Sequence, residues 1–80
     1  MNLLDNDVSL ELDACGLFCP EPVMLLHSRI LDVETGKILR VRTTDPSTRR
    51  DVPRFCQFLG HELLSQAEEA GVLVFLIRRG

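Results

Sequence analysis

The stretch CGLFCPEPVMLL, residues 15–26, sets a cysteine, Cys19, directly before a proline, an acid and a second proline, and an apolar run follows. Gly16 marks a turn just ahead of it. Proline suits the first position of a helix, because its fixed backbone angle is helical and the amide it lacks would have no partner there. The pattern therefore predicts a helix over about Pro20–Glu34, with Cys19 as its N-cap.

The segments on either side of this helix indicate strands. Alternation of apolar and polar residues over Val8–Asp13 predicts a half-buried strand before the turn, and Lys37–Thr43 predicts a second one after the helix stop at Gly36. Within the helix, apolar residues recur every three to four positions and define one face. They are Val23, Leu26, Ile30 and Val33.

A second helix is predicted before Gly60. Asp45 is a good helix cap, but Pro53 cannot lie deep inside a regular helix without a kink. We therefore expect an irregular turn across residues 46–51 and a regular helix that continues to Leu59. Its core-facing stripe consists of Val52, Phe55, Cys56 and Leu59.

The last third of the chain holds one ambiguous segment and one clear strand. HELLSQAEEAG, residues 61–71, favours helix by propensity but strand by its length and short connections. GVLVFLIRR, residues 71–79, is an apolar strand that could be buried on both faces. Two right-handed crossovers then predict an α/β fold with a mixed sheet and both helices on one face.

Composition excludes several classes of protein. The 80 residues suit one domain, and 45% of them are hydrophobic, which is enough for a core without metals or disulfides. A net charge of −3 argues against a protein that grips phosphate backbones, so no direct nucleic-acid binding is expected. No segment has the roughly 18 to 20 apolar residues that a membrane helix needs. An acidic N-terminus without a basic region and an odd number of cysteines predict a cytoplasmic protein with reduced thiols.

The position of Cys19 suggests a reactive thiol. The first amides of a helix have no partner within the helix, and the helix dipole favours an anion there. A thiol at such a site typically has its pKa lowered from about 8.5 to between roughly 3.5 and 7.5. Glu21 opposes this effect by its charge. The bland alternative is a small buried hydrophobe, the usual role of a lone intracellular cysteine.

The sequence LDACGLFCPEPVM, residues 12–24, resembles the motif of the TusA/SirA-like sulfur carriers, in which Leu-Asp and a glycine precede Cys-Pro-x-Pro. The resemblance continues through DPSTRRDVPRFCQFLGHELL, residues 45–64, and FLIRRG at the end. It covers essentially the whole chain from Leu12 to Gly80. The chain is therefore interpreted as a single domain of this family over residues 1–80.

The resemblance implies a fold and an activity. The family fold is a two-layer α/β sandwich in the order βαβαββ, a mixed four-stranded sheet with two helices on one face, which favours a strand for residues 61–71. Such proteins accept sulfane sulfur from a cysteine desulfurase as a persulfide on the motif cysteine. A relay of acceptor proteins then delivers it for 2-thiolation of wobble uridine in transfer RNA. Carried over, Cys19 holds the persulfide, Pro20, Glu21 and Pro22 support it, and no cofactor is required.

Other polar residues are candidates for partner contacts or for redox chemistry. Met24, His27, Asp45 and Arg50 fall near the two loops that should share a sheet edge with Cys19, and they are expected to contact a docked partner. Cys15 could be a resolving thiol, although its simpler interpretation is a partly buried residue at the end of a strand. The three cysteines and two histidines form no spacing typical of structural zinc, so no metal site is predicted.

Three alternatives to the transfer RNA sulfur relay stay open. The chain could be a dithiol redox protein that uses Cys15 and Cys19. It could be a non-catalytic regulatory module with the same fold. It could also be a carrier that supplies another pathway, such as molybdenum-cofactor enzymes or selenium metabolism.

Overall fold

The computed structural model describes residues 8–80, so the prediction for the N-terminal residues before Val8 lies outside the described part. Strands and helices alternate and then two strands follow, which confirms the order βαβαββ. The elements are β1 (Val8–Ala14), α1 (Glu21–Arg29), β2 (Ile38–Thr43), α2 (Thr48–Leu59), β3 (Glu62–Glu69) and β4 (Val72–Arg78).

The sheet is mixed, with four strands in the order β1-β2-β4-β3. β1 and β2 are parallel because α1 connects them as a crossover, whereas β4 runs antiparallel to both of its neighbours. Both helices pack on one face of this sheet. The carboxyl ends of β1 and β2 therefore lie side by side, and the chain enters both helices from this edge.

The core lies between the helices and the sheet. Alternate residues of β2 and β4 meet the inward-facing residues of both helices. Its members include Leu26, Ile30, Leu39, Val41, Val52, Phe55, Cys56, Phe75 and Ile77. The opposite sheet face carries ion pairs between β1 and β2, Glu11–Arg40 at 2.6 Å and Asp13–Arg42 at 3.0 Å. The predicted sandwich with both helices on one face is confirmed.

The first helix is shorter than predicted at both ends. Pro20 is the N-cap and Glu21 the first helical residue, so Cys19 lies one position outside the cap. At the other end the α-helix stops at Arg29, and a 3₁₀ turn over Ile30–Asp32 replaces its last turn. That turn still buries Ile30 against the sheet, which is why the apolar spacing looks continuous in the sequence.

The second helix begins earlier than predicted and contains the proline. Ser47 is the N-cap, the helix starts at Thr48, and Pro53 lies inside it. Proline lacks the amide that would donate to the carbonyl of Arg49, but Arg49 is exposed, so water can satisfy that carbonyl. Gly60 ends the helix as predicted, with a φ of 76° that suits glycine.

The ambiguous segment is a strand. β3 pairs with β4 alone and lies at the edge of the sheet, where half of its backbone groups face away from the ladder. Its residues are mostly exposed, so packing gives little signal against the helical propensity of Glu, Gln and Ala. β4 is buried on its core face, and Leu76 is also buried on the opposite face. None of the helices in residues 8–80 is long and apolar enough to cross a membrane.

Candidate functional site

Cys19 lies in the loop between β1 and α1, at the sheet edge where both helices begin. Cys19 is exposed, and its thiol forms no disulfide. The amide of Cys19 donates a hydrogen bond to Oδ2 of Asp45, with a distance of 2.6 Å, and its Sγ lies 3.6 Å from Oδ2 of Asp51. Two carboxylates from the second half of the chain therefore hold the backbone and face the sulfur of this residue.

Asp45 is a buried carboxylate that joins the two loops. Only 5% of the residue is exposed. Its Oδ1 accepts the amide of Ser47 at 3.0 Å, while Oδ2 accepts the amide of Cys19. The hydrogen bond from Ser47, together with that from Cys19, lowers the pKa of Asp45 against the opposing effect of burial. Asp45 was predicted to cap α2, but the cap is Ser47, and the Asp45 side chain forms a turn before the helix instead.

A buried hydroxyl pair supports this turn. The hydroxyl of Thr48 donates to the backbone carbonyl of Asp45 at 2.6 Å, and Thr43 Oγ1 lies 2.6 Å from the same hydroxyl. Both threonines are buried, so their hydrogen bonds hold the loop rigidly against the end of β2. The Asp45 carboxylate is thereby fixed in position before it meets Cys19.

The expectation of a lowered thiol pKa is wrong for the free protein. The pKa of Cys19 is raised by partial desolvation of its sulfur, although the residue as a whole is exposed, and then by the nearby Asp51 carboxylate. Asp45 raises the pKa further, and Arg50 lowers it. The backbone over residues 19–22 offers no free amide hydrogen to the sulfur. Pro20 and Pro22 have no amide hydrogen, the Cys19 amide is bound to Asp45, and the amide of Glu21 donates to the carbonyl of Phe18 at 2.9 Å.

A cavity of about 390 Å³ opens beside Cys19 between the two helices. Its walls are largely apolar, and the charged side chains of Asp51 and Arg54 line it together with the Cys19 thiol. The lining residues are Cys19, Pro20, Val23, His27, Asp51, Arg54, Phe55, Phe58 and Leu59. Phe58 is 85% exposed. An apolar side chain of another molecule could therefore enter next to the sulfur.

The residues predicted from the motif and the loops lie at different distances from this cavity. Pro20 and His27 line it, and the His27 ring meets the buried Phe55 ring edge-on at 4.8 Å between centroids. Met24 is 61% exposed on α1 but is not a lining residue. Glu21 is exposed, whereas Pro22 is buried under the helix start.

Arg50 meets the site through Asp51. Its Nε lies 3.1 Å from Oδ1 of Asp51, whereas the Cys19 sulfur contacts the other oxygen, Oδ2. The guanidinium is 61% exposed, whereas the Asp51 side chain is only 20% exposed. The Asp51 carboxylate thus lies between an exposed arginine and the Cys19 thiol.

The other two cysteines have different surroundings. Cys15 is half-buried after the end of β1, and its amide donates to Oδ1 of Asp13 at 3.0 Å. Burial and Asp13 raise the pKa of its thiol. Cys56 is a buried member of the core, as predicted, and burial raises its pKa to about 11.

Sequence reasoning missed three residues of the site, Asp51, Arg54 and Phe58. Together they follow the spacing i, i+3 and i+7 along α2, so they form a stripe beside the buried one. Leu59, a predicted core residue, is 48% exposed. It follows Phe58 at the C-terminal end of α2 and lines the same cavity. An exposed phenylalanine off the buried stripe was the available signal, but the predicted irregular turn over residues 46–51 hid the helical spacing of Asp51.

Metal binding finds no support in this part of the molecule. Among residues 8–80, no group of three or more His, Cys, Asp or Glu side chains is arranged to hold a metal ion.

Comparisons with known proteins agree with this architecture. The family model described as sulfurtransferase TusA matches residues 10–79. The sulfur carrier protein TusA of Pseudomonas syringae is 57% identical over 72 residues, covering 90% of this chain and 86% of the relative. That of Pseudomonas aeruginosa is 55% identical over 76 residues, covering 95% of this chain and 96% of the relative.

The fold also matches a solved structure. The crystal structure of a SirA-like protein from Desulfitobacterium hafniense superposes with a TM-score of 0.74, covering 85% of this chain and 93% of that chain. The two share 21% sequence identity, so this likeness concerns the fold alone. The family model and the Pseudomonas relatives carry the assignment: this chain belongs to the TusA family of sulfurtransferases.

Proposed function

We propose that this protein is a sulfur carrier that accepts sulfane sulfur from a cysteine desulfurase as a persulfide on Cys19. It then passes the sulfur to a cysteine of an acceptor protein. The observation that supports this most directly is that the exposed residue Cys19 lines the largely apolar cavity. The sulfur-carrier names of the relatives give the chemistry to which this thiol is suited.

Loading is a thiol–persulfide exchange. The Cys19 thiol loses its proton, and the thiolate attacks the outer sulfur of the donor persulfide, R–S–SH. The S–S bond of the donor breaks, its electron pair stays on the donor sulfur, and that thiolate takes up a proton. The products are Cys19–S–SH and R–SH, so neither an oxidant nor a bound cofactor is needed. Donation repeats the same exchange, with the acceptor cysteine as nucleophile.

Partner docking has a suitable surface around the sulfur. Exposed apolar side chains occur on both sides of Cys19: Phe18 is 71% exposed, Met24 61% and Phe58 85%. Large apolar side chains so exposed are typical of protein interfaces. We propose that Met24 and His27 from α1, together with Asp45 and Arg50 beside α2, contact the desulfurase or the acceptor.

The destination of the sulfur is proposed to be 2-thiolation of wobble uridine in transfer RNA, through acceptor proteins. The net charge of −3 supports delivery by a protein relay over direct binding of this chain to RNA. We expect the exchange to take place in the reducing cytoplasm, where thiols stay free.

The test is intact mass after incubation with a cysteine desulfurase and cysteine. The wild-type protein should gain one sulfur atom that a reductant removes, Cys19→Ser should gain none, and Cys15→Ser should gain as much as the wild type. A protein that stays unmodified would contradict the proposal and favour a regulatory module. A protein that instead forms a Cys15–Cys19 disulfide, and loses its activity in Cys15→Ser, would favour the redox alternative.

A further inference from the structure

Asp51 is the carboxylate in contact with the reacting atom. Its Oδ2 lies 3.6 Å from Cys19 Sγ, within hydrogen-bond distance for a thiol that donates to a carboxylate. The side chain is 20% exposed, and Arg50 holds its other oxygen at 3.1 Å. A carboxylate in this position stabilises the protonated thiol, because a thiolate would face a second negative charge.

The two carboxylates near the Cys19 sulfur disfavour an anion there more strongly than the cation Arg50 favours one. Asp45 and Asp51 face Cys19 from the second loop and from α2, and Arg50 is the cation paired with Asp51. Arg54 and His27 line the same cavity from α2 and α1. Both a thiolate at Cys19 and an anionic donor persulfide would add negative charge beside two carboxylates. A partner that brings positive charge to these carboxylates therefore favours the transfer.

We propose that Asp51 keeps Cys19 as a protonated, weakly reactive thiol in the free protein, and that a partner with a lysine or arginine at Asp51 releases the thiolate on docking. On release, the thiol proton passes to solvent and the electron pair of the S–H bond stays on Sγ. The first half concerns the thiol alone, whereas the partner's part rests on the proposed function. The raised pKa of Cys19 agrees with the first half.

The first test measures the thiol without any partner. In a Cys15→Ser background, the rate of Cys19 alkylation by iodoacetamide is followed by mass from pH 6 to 10, while Cys56 stays buried. Asp51→Asn should move the midpoint of the rate profile to lower pH and raise the rate at pH 7 several-fold. Asp51→Glu keeps the charge and should retain most of the wild-type profile. An unchanged or higher midpoint in Asp51→Asn would overturn the proposal.

A matched control has the same charge change at a distance. Asp32 is exposed in the 3₁₀ turn beyond the far end of α1 and is paired with Arg29 at 3.6 Å. Asp32→Asn should leave the profile of Cys19 unchanged. An equal shift in both variants would mean that net charge acts through the whole surface, and it would overturn the specific role of Asp51.

The second test measures loading by a cysteine desulfurase at pH 7. If docking relieves the effect of Asp51, Asp51→Asn should lower kcat/KM for loading because the ion pair to the partner is lost, although the free thiol reacts faster. Added salt should then weaken loading of the wild type more than loading of the variant, because an ion pair to the partner is screened. A rise in loading parallel to the rise in alkylation would overturn the partner's part. Absence of any loading in the wild type would contradict the proposed function, whereas the alkylation result would stand.

Discussion

Cys19 and Cys56 are two thiols of raised pKa in one small protein, and they reach that state by different routes. Cys56 lies on the core-facing side of α2, and burial alone raises its pKa to about 11. Cys19 is exposed, and carboxylates add to partial desolvation of its sulfur. Burial can be removed only by unfolding, but the effect of a carboxylate can be cancelled by a cation. A raised pKa therefore identifies an inert cysteine only when the cause of the shift is known.

Removal of the Cys19 sulfur should produce the largest effect on function and almost none on stability. Cys19→Ser should abolish sulfur loading, because a hydroxyl forms no persulfide, while its amide can still donate to Asp45. Urea unfolding should match that of the wild type within about 0.5 kcal/mol, as for other exposed substitutions. A markedly destabilised variant would show that the thiol itself supports the loop and would weaken the contrast with Cys56.

Truncation of Asp45 should damage both the loop and the fold. Asp45→Ala leaves the amides of Cys19 and Ser47 without their acceptor, and it should cost about 2 to 3 kcal/mol in urea unfolding. Loading should slow as well, because Cys19 loses its fixed backbone position. Asp45→Asn keeps an acceptor oxygen for one of the two amides and should fall between wild type and Asp45→Ala. Equal stability of all three proteins would show that the two loops hold each other without this carboxylate.

Cys56→Ser should give the reverse of Cys19→Ser. A hydroxyl in this apolar position, where the residue is 3% exposed, should reduce the free energy of unfolding by about 1 to 3 kcal/mol. Loading of the folded protein should be retained. Cys56→Ala serves as the control, since it removes the sulfur without adding a polar group. Loss of loading in a folded Cys56→Ala variant would mean that this thiol takes part in sulfur transfer after all.

Protonation of His61 should have the smallest effect. Burial and then the positive charge of Arg79 lower the pKa of His61, and its Nδ1 accepts the amide of Gly80 at 3.0 Å. Between the folded and unfolded pKa values the unfolded chain binds more protons, so stability is fully present above about 6.5 and falls as pH drops below it. The difference between pH 7.5 and 5.5 should be under about 1 kcal/mol.

The His61→Gln variant isolates that contribution. Its unfolding free energy should change less between these two pH values than that of the wild type, since the shared carboxylates titrate in both proteins. An identical pH dependence would show that the shifted titration of His61 contributes nothing measurable to stability.

Much of the fold could be predicted from the sequence because its signals are local. Alternation at Val8–Asp13, the proline pair after Cys19 and the glycine at residue 60 each specify one element or its end. The edge strand β3 could not be identified from its own residues, since an exposed edge leaves little hydrophobic pattern. Its assignment depended on the family resemblance.

The site was less predictable because its decisive contacts are distant in sequence. The position of Cys19 in a helix-entry loop could be read from its neighbours. The contacts with Asp45 and Asp51 span 26 and 32 residues and depend on the parallel pairing of β1 with β2. The position of Cys19 at a helix start predicted a lowered thiol pKa. That prediction included the helix end but not the carboxylates from the other half of the chain.

The 2.6 Å hydrogen bond from the Cys19 amide to Asp45 bears on how such proteins can be recombined. The cysteine loop and the aspartate loop are two halves of one structural unit, although 26 residues separate their contact points. A chimera that imports residues 15–22 from a relative should also import residues 45–51. Otherwise the imported cysteine loop would contact an aspartate loop that belongs to a different sequence. Modular exchange in this domain therefore follows its spatial contacts and not the continuous motif.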